Sequence, residues 1–347
     1  MVMVQSLRTH NRGRLMRLIL ERGVLSRSEF ASASGLSKVT STAIVGELLE
    51  QGWLRELGKT EGLAGRPAAL LELHPRAGTV LGLDLQPGGV ALLAGNLAAG
   101  GEMVLTHHPL RGAESITEAV LDLLEQARLE ALRGPLLQAT LALPAPVGQG
   151  GWPAHPSRLP DLEPARLFAW AERHDLTLTL ENDIKLAALA EFERGAAQGF
   201  GDFALLVERQ GGVTLGLFLE GRLYRGAQGH AGELSLMGWP HDGWIEPLET
   251  LPLEVREQAL VQVCAALAVA LDLSHFLIHQ SEGGASALDV TSRLPTLVLR
   301  PIEVVLSHFG DSGPVQGALL QAARLAQNRI FGPELEQHAQ VSLFHNP

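Results

Sequence analysis

Apolar positions in the first 75 residues recur at helical spacing and then at strand spacing. Leu15, Leu18 and Ile19 make one stripe and predict a helix over 11–22. Ser26 precedes a second helical stretch and stands three residues before Glu29, the spacing of a reciprocal N-cap. That stretch carries Phe30 and Ala33 and stops near Gly35. Ser37 then caps a third helix that runs to about Gln51, where Gly52 ends it. Ile44, Val45, Leu48 and Leu49 form its buried stripe, and Lys38, Ser41 and Thr42 fall in its first turns, away from that stripe. Trp53–Glu56 and Ala69–Leu73 read as two short strands around a Gly-rich tip.

Helix, turn, helix and β-wing in this order predict a winged helix-turn-helix. In such folds the second helix of the motif enters the major groove of double-stranded DNA, N-terminal residues first. Ser37, Lys38, Thr40, Ser41 and Thr42 are therefore the candidate groove residues. Gly65-Arg66-Pro67 holds an extended Arg66 at the wing tip, suited to a narrow minor groove. An ordinary helical hairpin is the alternative reading of the same pattern.

After a short hinge at 74–78 the pattern alternates. Strands are expected at 79–85, 89–95, 102–107 and 136–143, with a helix at 114–132. A Pro- and Gly-rich loop follows, then a helix at 164–174, a strand at 176–181 and a helix at 184–198. Strands at 202–208, 213–219 and 222–224 restart the series before a polar Gly-rich loop. A helix at 254–274, strands at 275–279 and 296–299 and a helix at 314–328 close it. A three-strand meander followed by alternating helix and strand thus occurs twice. Such a duplicated α/β body leaves a cleft between its halves, a usual place for a ligand.

Composition narrows the class. The 347 residues are 46% hydrophobic but only 5% aromatic, so a large core of Leu, Ala and Val is expected. The most apolar segment, Val263–Ile278, is broken by Asp272, Ser274 and His275 and reads as a buried helix, not a membrane span. Nothing reads as a secretory signal, and Cys264 is the only cysteine, which leaves no intrachain disulfide framework. A cytoplasmic protein without membrane partners is expected. The net charge of −11 is uneven. Residues 1–75 hold ten Lys/Arg against seven Asp/Glu, or +3, and the other 272 hold 17 against 31, or −14. A basic head on an acidic body confines phosphate contact to the head. The excess is small, so two heads are expected to act together.

Four stretches carry a family resemblance: GLSKVTSTAIVGELLEQGW and GRPAALLEL in the head, LENDIKLAALAE and GRLYRGAQGHAGEL in the body. They resemble the ROK family of sugar kinases and sugar-responsive repressors, over nearly the whole chain. The resemblance implies a winged helix-turn-helix over 1–75 and an actin/hexokinase-like (ribonuclease H-like) α/β body over 76–347, with lobes at about 76–198 and 199–347. It implies that Asn182 binds sugar hydroxyls, that Asp183 stands where the kinases keep their general base, and that Glu233 also faces the sugar. His230, in the same stretch, joins the candidate ligand residues.

The chain departs from the family pattern in three places. The kinase turn Asp-x-Gly-Gly-Thr reads Asp84-Leu85-Gln86-Pro87-Gly88, where Gln86 adds bulk and Pro87 lacks an N–H for phosphate. The second phosphate loop is Gln210-Gly211-Gly212-Val213-Thr214-Leu215-Gly216, and the later Gly-Gly turn is His279-Gln280. The family's zinc-binding His falls at Leu236, and no cysteine cluster follows. His230, His241 and Asp242 match no metal spacing. Asn182 and Asp183 are also suited simply to capping the helix that follows.

The expectation is a DNA-binding regulator, a repressor, with no catalytic residue beyond the vestigial base Asp183, no cofactor and no metal. It would work as a homodimer or tetramer, with a carbohydrate as candidate effector. An active sugar kinase with a fused head and a regulator that needs no effector are the alternatives.

Overall fold

The computed structural model describes residues 2–59, 69–100, 104–111, 114–130, 134–148, 150–153, 159–209, 212–280 and 286–332. The first 75 residues supply α1 (Val2–Arg22), β1 (Val24–Ser26), α2 (Arg27–Ser34), α3 (Lys38–Glu50), β2 (Leu54–Lys59) and β3 (Ala69–Leu73). The strands form one antiparallel sheet in the order β1-β3-β2. Helix α1 begins nine residues earlier than its apolar stripe predicts, because no Gly or Pro interrupts residues 2–12. Strand β1 is too short to show any alternation, so only its pairing with β3 defines it.

The next unit is a five-stranded sheet, order β6-β5-β4-β7-β8, made of β4 (Thr79–Gln86), β5 (Gly89–Asn96), β6 (Val104–Pro109), β7 (Leu136–Leu143) and β8 (Thr177–Asn182). β4, β5 and β6 are antiparallel neighbours, whereas β7 and β8 run parallel to β4. Helices α4 (Ile116–Leu129) and α5 (Pro164–Arg173) cover one face, and α6 (Asp183–Arg194) leaves the end of β8.

A second five-stranded sheet repeats the plan in the order β11-β10-β9-β14-β15: β9 (Phe203–Arg209), β10 (Gly212–Leu219), β11 (Arg222–Tyr224), β14 (His275–Gln280) and β15 (Glu303–Leu306). Between β11 and β14 lie the hairpin β12 (Gly238–His241) and β13 (Trp244–Pro247) and helix α7 (Leu253–Ala270); α8 (Ser286–Leu297) joins β14 to β15, and α9 (Gly313–Phe331) follows. Among the described residues no helix is long and apolar enough to cross a membrane.

Two stretches differ from the sequence pattern. Residues 296–299 are not a strand: α8 runs to Leu297, and the closing strand is β15. Val290, Leu294 and Val298 are buried at four-residue spacing, so the helical period outweighs the short apolar run. The polar Gly-rich loop after β11 contains the β12–β13 hairpin, turned by Asp242 and Gly243, both at positive φ. An Asp-Gly pair between short apolar runs is a hairpin signal and was there to be read.

Helices α6 and α9 pack on each other between the sheets. Each lies against the sheet of the other half, α9 on β4, β5 and β7 and α6 on β9 and β10. They meet backbone to backbone at Gly317, where a Cβ would stand 1.8 Å from the Leu186 carbonyl oxygen.

The far end of α9 reaches the head. A Cβ on Gly13 of α1 would lie 2.1 Å from the Phe331 carbonyl oxygen, Arg17 donates to the Gly332 carbonyl, and Trp53 meets Phe331 edge to face at 5.4 Å. One apolar cluster runs from Leu15, Phe30 and Leu48 to Leu93, Leu319 and Phe331 without a break. The expected hinge at 74–78 is a tight turn in which the Ala77 N–H donates to the His74 carbonyl.

Candidate functional site

In the head, local chemistry sets the helix ends. The Ser26 hydroxyl accepts the Glu29 N–H at 3.2 Å, and the Glu29 carboxylate accepts the Ser26 N–H at 2.7 Å. Hydrogen bonds to the carboxylate from Ser26, its side chain first and its backbone N–H second, hold the Glu29 carboxyl below its ordinary range. Gly35 ends α2 at φ 63°. The Ser37 hydroxyl accepts the Thr40 N–H at 3.1 Å and lies 2.8 Å from the Thr40 hydroxyl.

The candidate groove residues therefore separate. Lys38 and Thr42 are exposed. Ser37 and Thr40 are engaged with each other as a cap. Ser41, expected to face outward, is 2% exposed and packs with the buried stripe of Ile44, Val45 and Leu48. The reason is geometric: Ser41 precedes Ile44, Val45 and Leu48 by three, four and seven positions and shares their face. Arg66 and the wing tip lie outside the described residues.

In the body, the carboxyl ends of β4, β8 and β9 converge on one cleft, where open α/β sheets usually hold ligands. Asn182 ends β8 and caps α6, its side-chain oxygen accepting the Lys185 N–H at 3.0 Å. Its amide nitrogen lies 3.3 Å from the Ala145 carbonyl, 3.3 Å from the Asp183 carboxylate and 3.4 Å from the Glu233 carboxylate. Asn182, Asp183 and Glu233 are thus brought together as the motifs imply. His230 sits on the same loop as Glu233, where its carbonyl accepts the Glu233 N–H.

Asp183 is 4% exposed and heavily engaged. Oδ1 accepts the Ile184 N–H at 2.8 Å. Oδ2 accepts Arg209 Nη1 at 2.9 Å and the Gln86 side-chain amide at 3.2 Å. The same Gln86 nitrogen donates to Asp84 at 2.8 Å. One glutamine therefore links two buried carboxylates, and an arginine from the second sheet pairs with one of them. Burial, followed by the charge of Asp183, pushes the Asp84 carboxyl up to about 7, against the opposing hydrogen bond from Gln86.

Behind this cluster Arg225 donates to Glu181 at 2.6 Å, and the buried Lys185 donates to the Gly229 carbonyl. Burial is the main reason that the Lys185 ammonium titrates below its ordinary value. In front of the cluster opens a cavity of about 680 Å3, lined by Asp84, Gln86, Leu105, His107, Arg209 and Asp311.

Sequence reasoning noticed Gln86 only as a missing glycine and did not single out Arg209, Arg225 or Lys185. A lysine within the apolar run IKLAALA was the one available signal. Gln210 and Gly211 of the second phosphate loop lie outside the described residues. Leu236, at the family's zinc-histidine position, is 65% exposed, and no group of three metal-binding side chains occurs among the described residues.

Two packed α/β halves, with β8–α6 and β15–α9 crossing between them, form a two-lobed body joined to a head of three helices and a small sheet. Residues 88–239 match the model of the ROK family. It is 27% identical over 232 residues to the DNA-binding transcriptional dual regulator NagC of Escherichia coli, covering 65% of this chain and 56% of that protein. It is 24% identical over 237 residues to the xylose repressor of Bacillus subtilis, covering 65% and 60%. These matches span less than two thirds of each relative's length. The structure resembles that of a ROK family transcriptional regulator described as a homologue of the E. coli MLC protein, with TM-score 0.66, 20% identity and coverage of 94% and 98% of the two chains. A ROK hexokinase from Thermus thermophilus matches at TM-score 0.51 and 25% identity, over 70% of this chain and 98% of that one.

Proposed function

We propose that this chain is a cytoplasmic transcriptional repressor that binds double-stranded DNA through residues 1–75 and has lost phosphoryl transfer in residues 76–347. Its relatives named as regulators of transcription support the first half. The observation that carries the second is the saturation of Asp183. A general base must reach the hydroxyl proton it removes, yet both Asp183 oxygens are already taken by the Ile184 N–H, Arg209 and Gln86. Pro87 next door has no N–H for a phosphate, and phosphoryl transfer depends chiefly on holding the nucleotide's phosphates. Purified protein given ATP with glucose or N-acetylglucosamine is expected to form no sugar phosphate. Sugar phosphate formed at a rate that Asp183→Asn abolishes would overturn this reading.

A sugar effector in this cleft reaches the Asp183 carboxylate only by displacing Gln86 and Arg209. The saturated carboxylate therefore favours a second reading, a regulator that needs no sugar at all. Calorimetric titration separates the two. If sugars are effectors, Arg209→Ala tightens their binding by freeing an acceptor, and Asp183→Asn weakens it. If no sugar produces heat with either variant or with the natural chain, the effector-free reading stands. Where an effector does bind, α9 is the route to the head, because Val315 near its start lines the cavity and Phe331 at its end packs against Trp53.

The charge excess of one head is small, so two chains bind one two-fold symmetric site. Arg66→Ala is expected to weaken binding and relax any preference for A·T pairs beside the groove contacts. Equal affinity of both forms for all sequences would remove Arg66 from the interface.

A further inference from the structure

The outward face of α3 carries methyl groups where a base-reading helix commonly carries amides or guanidinium groups. Val39 is 80% exposed in the first turn. Thr42 and Ala43, three and four positions on, are exposed beside it. The opposite face is the buried stripe that includes Ser41. One exposed valine alone would mean little, since scattered surface apolar residues are normal. Here three methyl-bearing side chains share one face at i, i+3 and i+4, and cations stand at its N-terminal end. Lys38 precedes Val39 and is exposed, and the exposed Arg14 of α1 places its guanidinium beside Gly35, in the turn leading into α3.

Cations at one end of an apolar strip fit duplex DNA, with a phosphate at the margin and base edges beside it. The apolar group that the bases present in the major groove is the thymine 5-methyl. Resting on the DNA-binding reading, we infer that Val39, Thr42 and Ala43 read thymine methyl groups, and that Val39 is a specificity-determining residue of the head. From Val39 to Ala43 the helix rises about 6 Å, against about 3.4 Å per base step. The face therefore spans neighbouring steps and favours sites with thymines close together in each half.

The test uses the full chain. Duplexes are selected from a randomised pool, and each thymine of the preferred site is then replaced, one at a time, by deoxyuridine, which removes only the methyl. At one or two positions per half-site, the natural chain is expected to lose about four-fold in affinity for each methyl removed. In Val39→Ser, whose side chain is exposed and whose melting temperature should not change, the loss at one of those positions disappears. Specific binding with no uracil penalty anywhere would overturn the inference and leave the DNA-binding reading intact, as would a penalty undiminished in Val39→Ser. Failure to select any duplex would overturn both.

Discussion

Gly317→Ala is expected to destabilise the body by about 3 kcal/mol or more, the upper end for overpacking a core. The new Cβ would lie 1.8 Å from the Leu186 carbonyl oxygen, 2.4 Å from its carbon and 2.9 Å from its Cα. All three are backbone atoms, so no side-chain rotation relieves the clash. Leu186 is fully buried, and α9 is held from behind by β4, where Gly82 leaves room for Leu319. Separating α6 from α9 would open the contact that joins the two halves. Gly46→Ala is the control. A Cβ there meets nothing within 4 Å, and the position is interior to α3, so the change should stabilise by about 0.5–1 kcal/mol. Denaturant unfolding checks both, and equal midpoints for Gly317→Ala and the natural chain would refute the close packing of α6 on α9.

The second large effect is a pH dependence set by Asp84. Its carboxyl is raised from 3.8 to about 7 in the folded chain by burial and by the neighbouring Asp183. In the unfolded chain it loses its proton near the ordinary value. Between those limits the folded state binds more protons, so stability falls as pH rises through the window. The contribution is full below about pH 4 and lost above about pH 7. Asp84→Asn removes this titration while its side-chain oxygen still accepts from Gln86. The variant's stability relative to the natural chain should therefore rise by on the order of 2–3 kcal/mol between pH 5 and pH 8. Melting curves of both proteins across that range test it. A constant difference would mean that Asp84 is already ionised in the folded state.

Both predictions depend on contacts between residues far apart in sequence, and this is where reading the chain alone stops. What the sequence determined by itself was local. The Ser26–Glu29 cap, the Ser37 cap and the Gly35 stop lie within a few residues of the backbone groups they satisfy, so their spacing is their geometry. The alternating strands and the crossover helices followed from periodicity for the same reason, and the family motifs named Asn182, Asp183 and Glu233 as neighbours before any fold was seen. Only the tertiary structure decided which polar groups meet. Gln86 and Arg209 reach Asp183 from 97 and 26 residues away, and each is an unremarkable polar residue in its own segment. Burial is likewise a property of the assembled faces. It turned Ser41 inward and left Val39 in solvent, although the two lie two positions apart on the same helix.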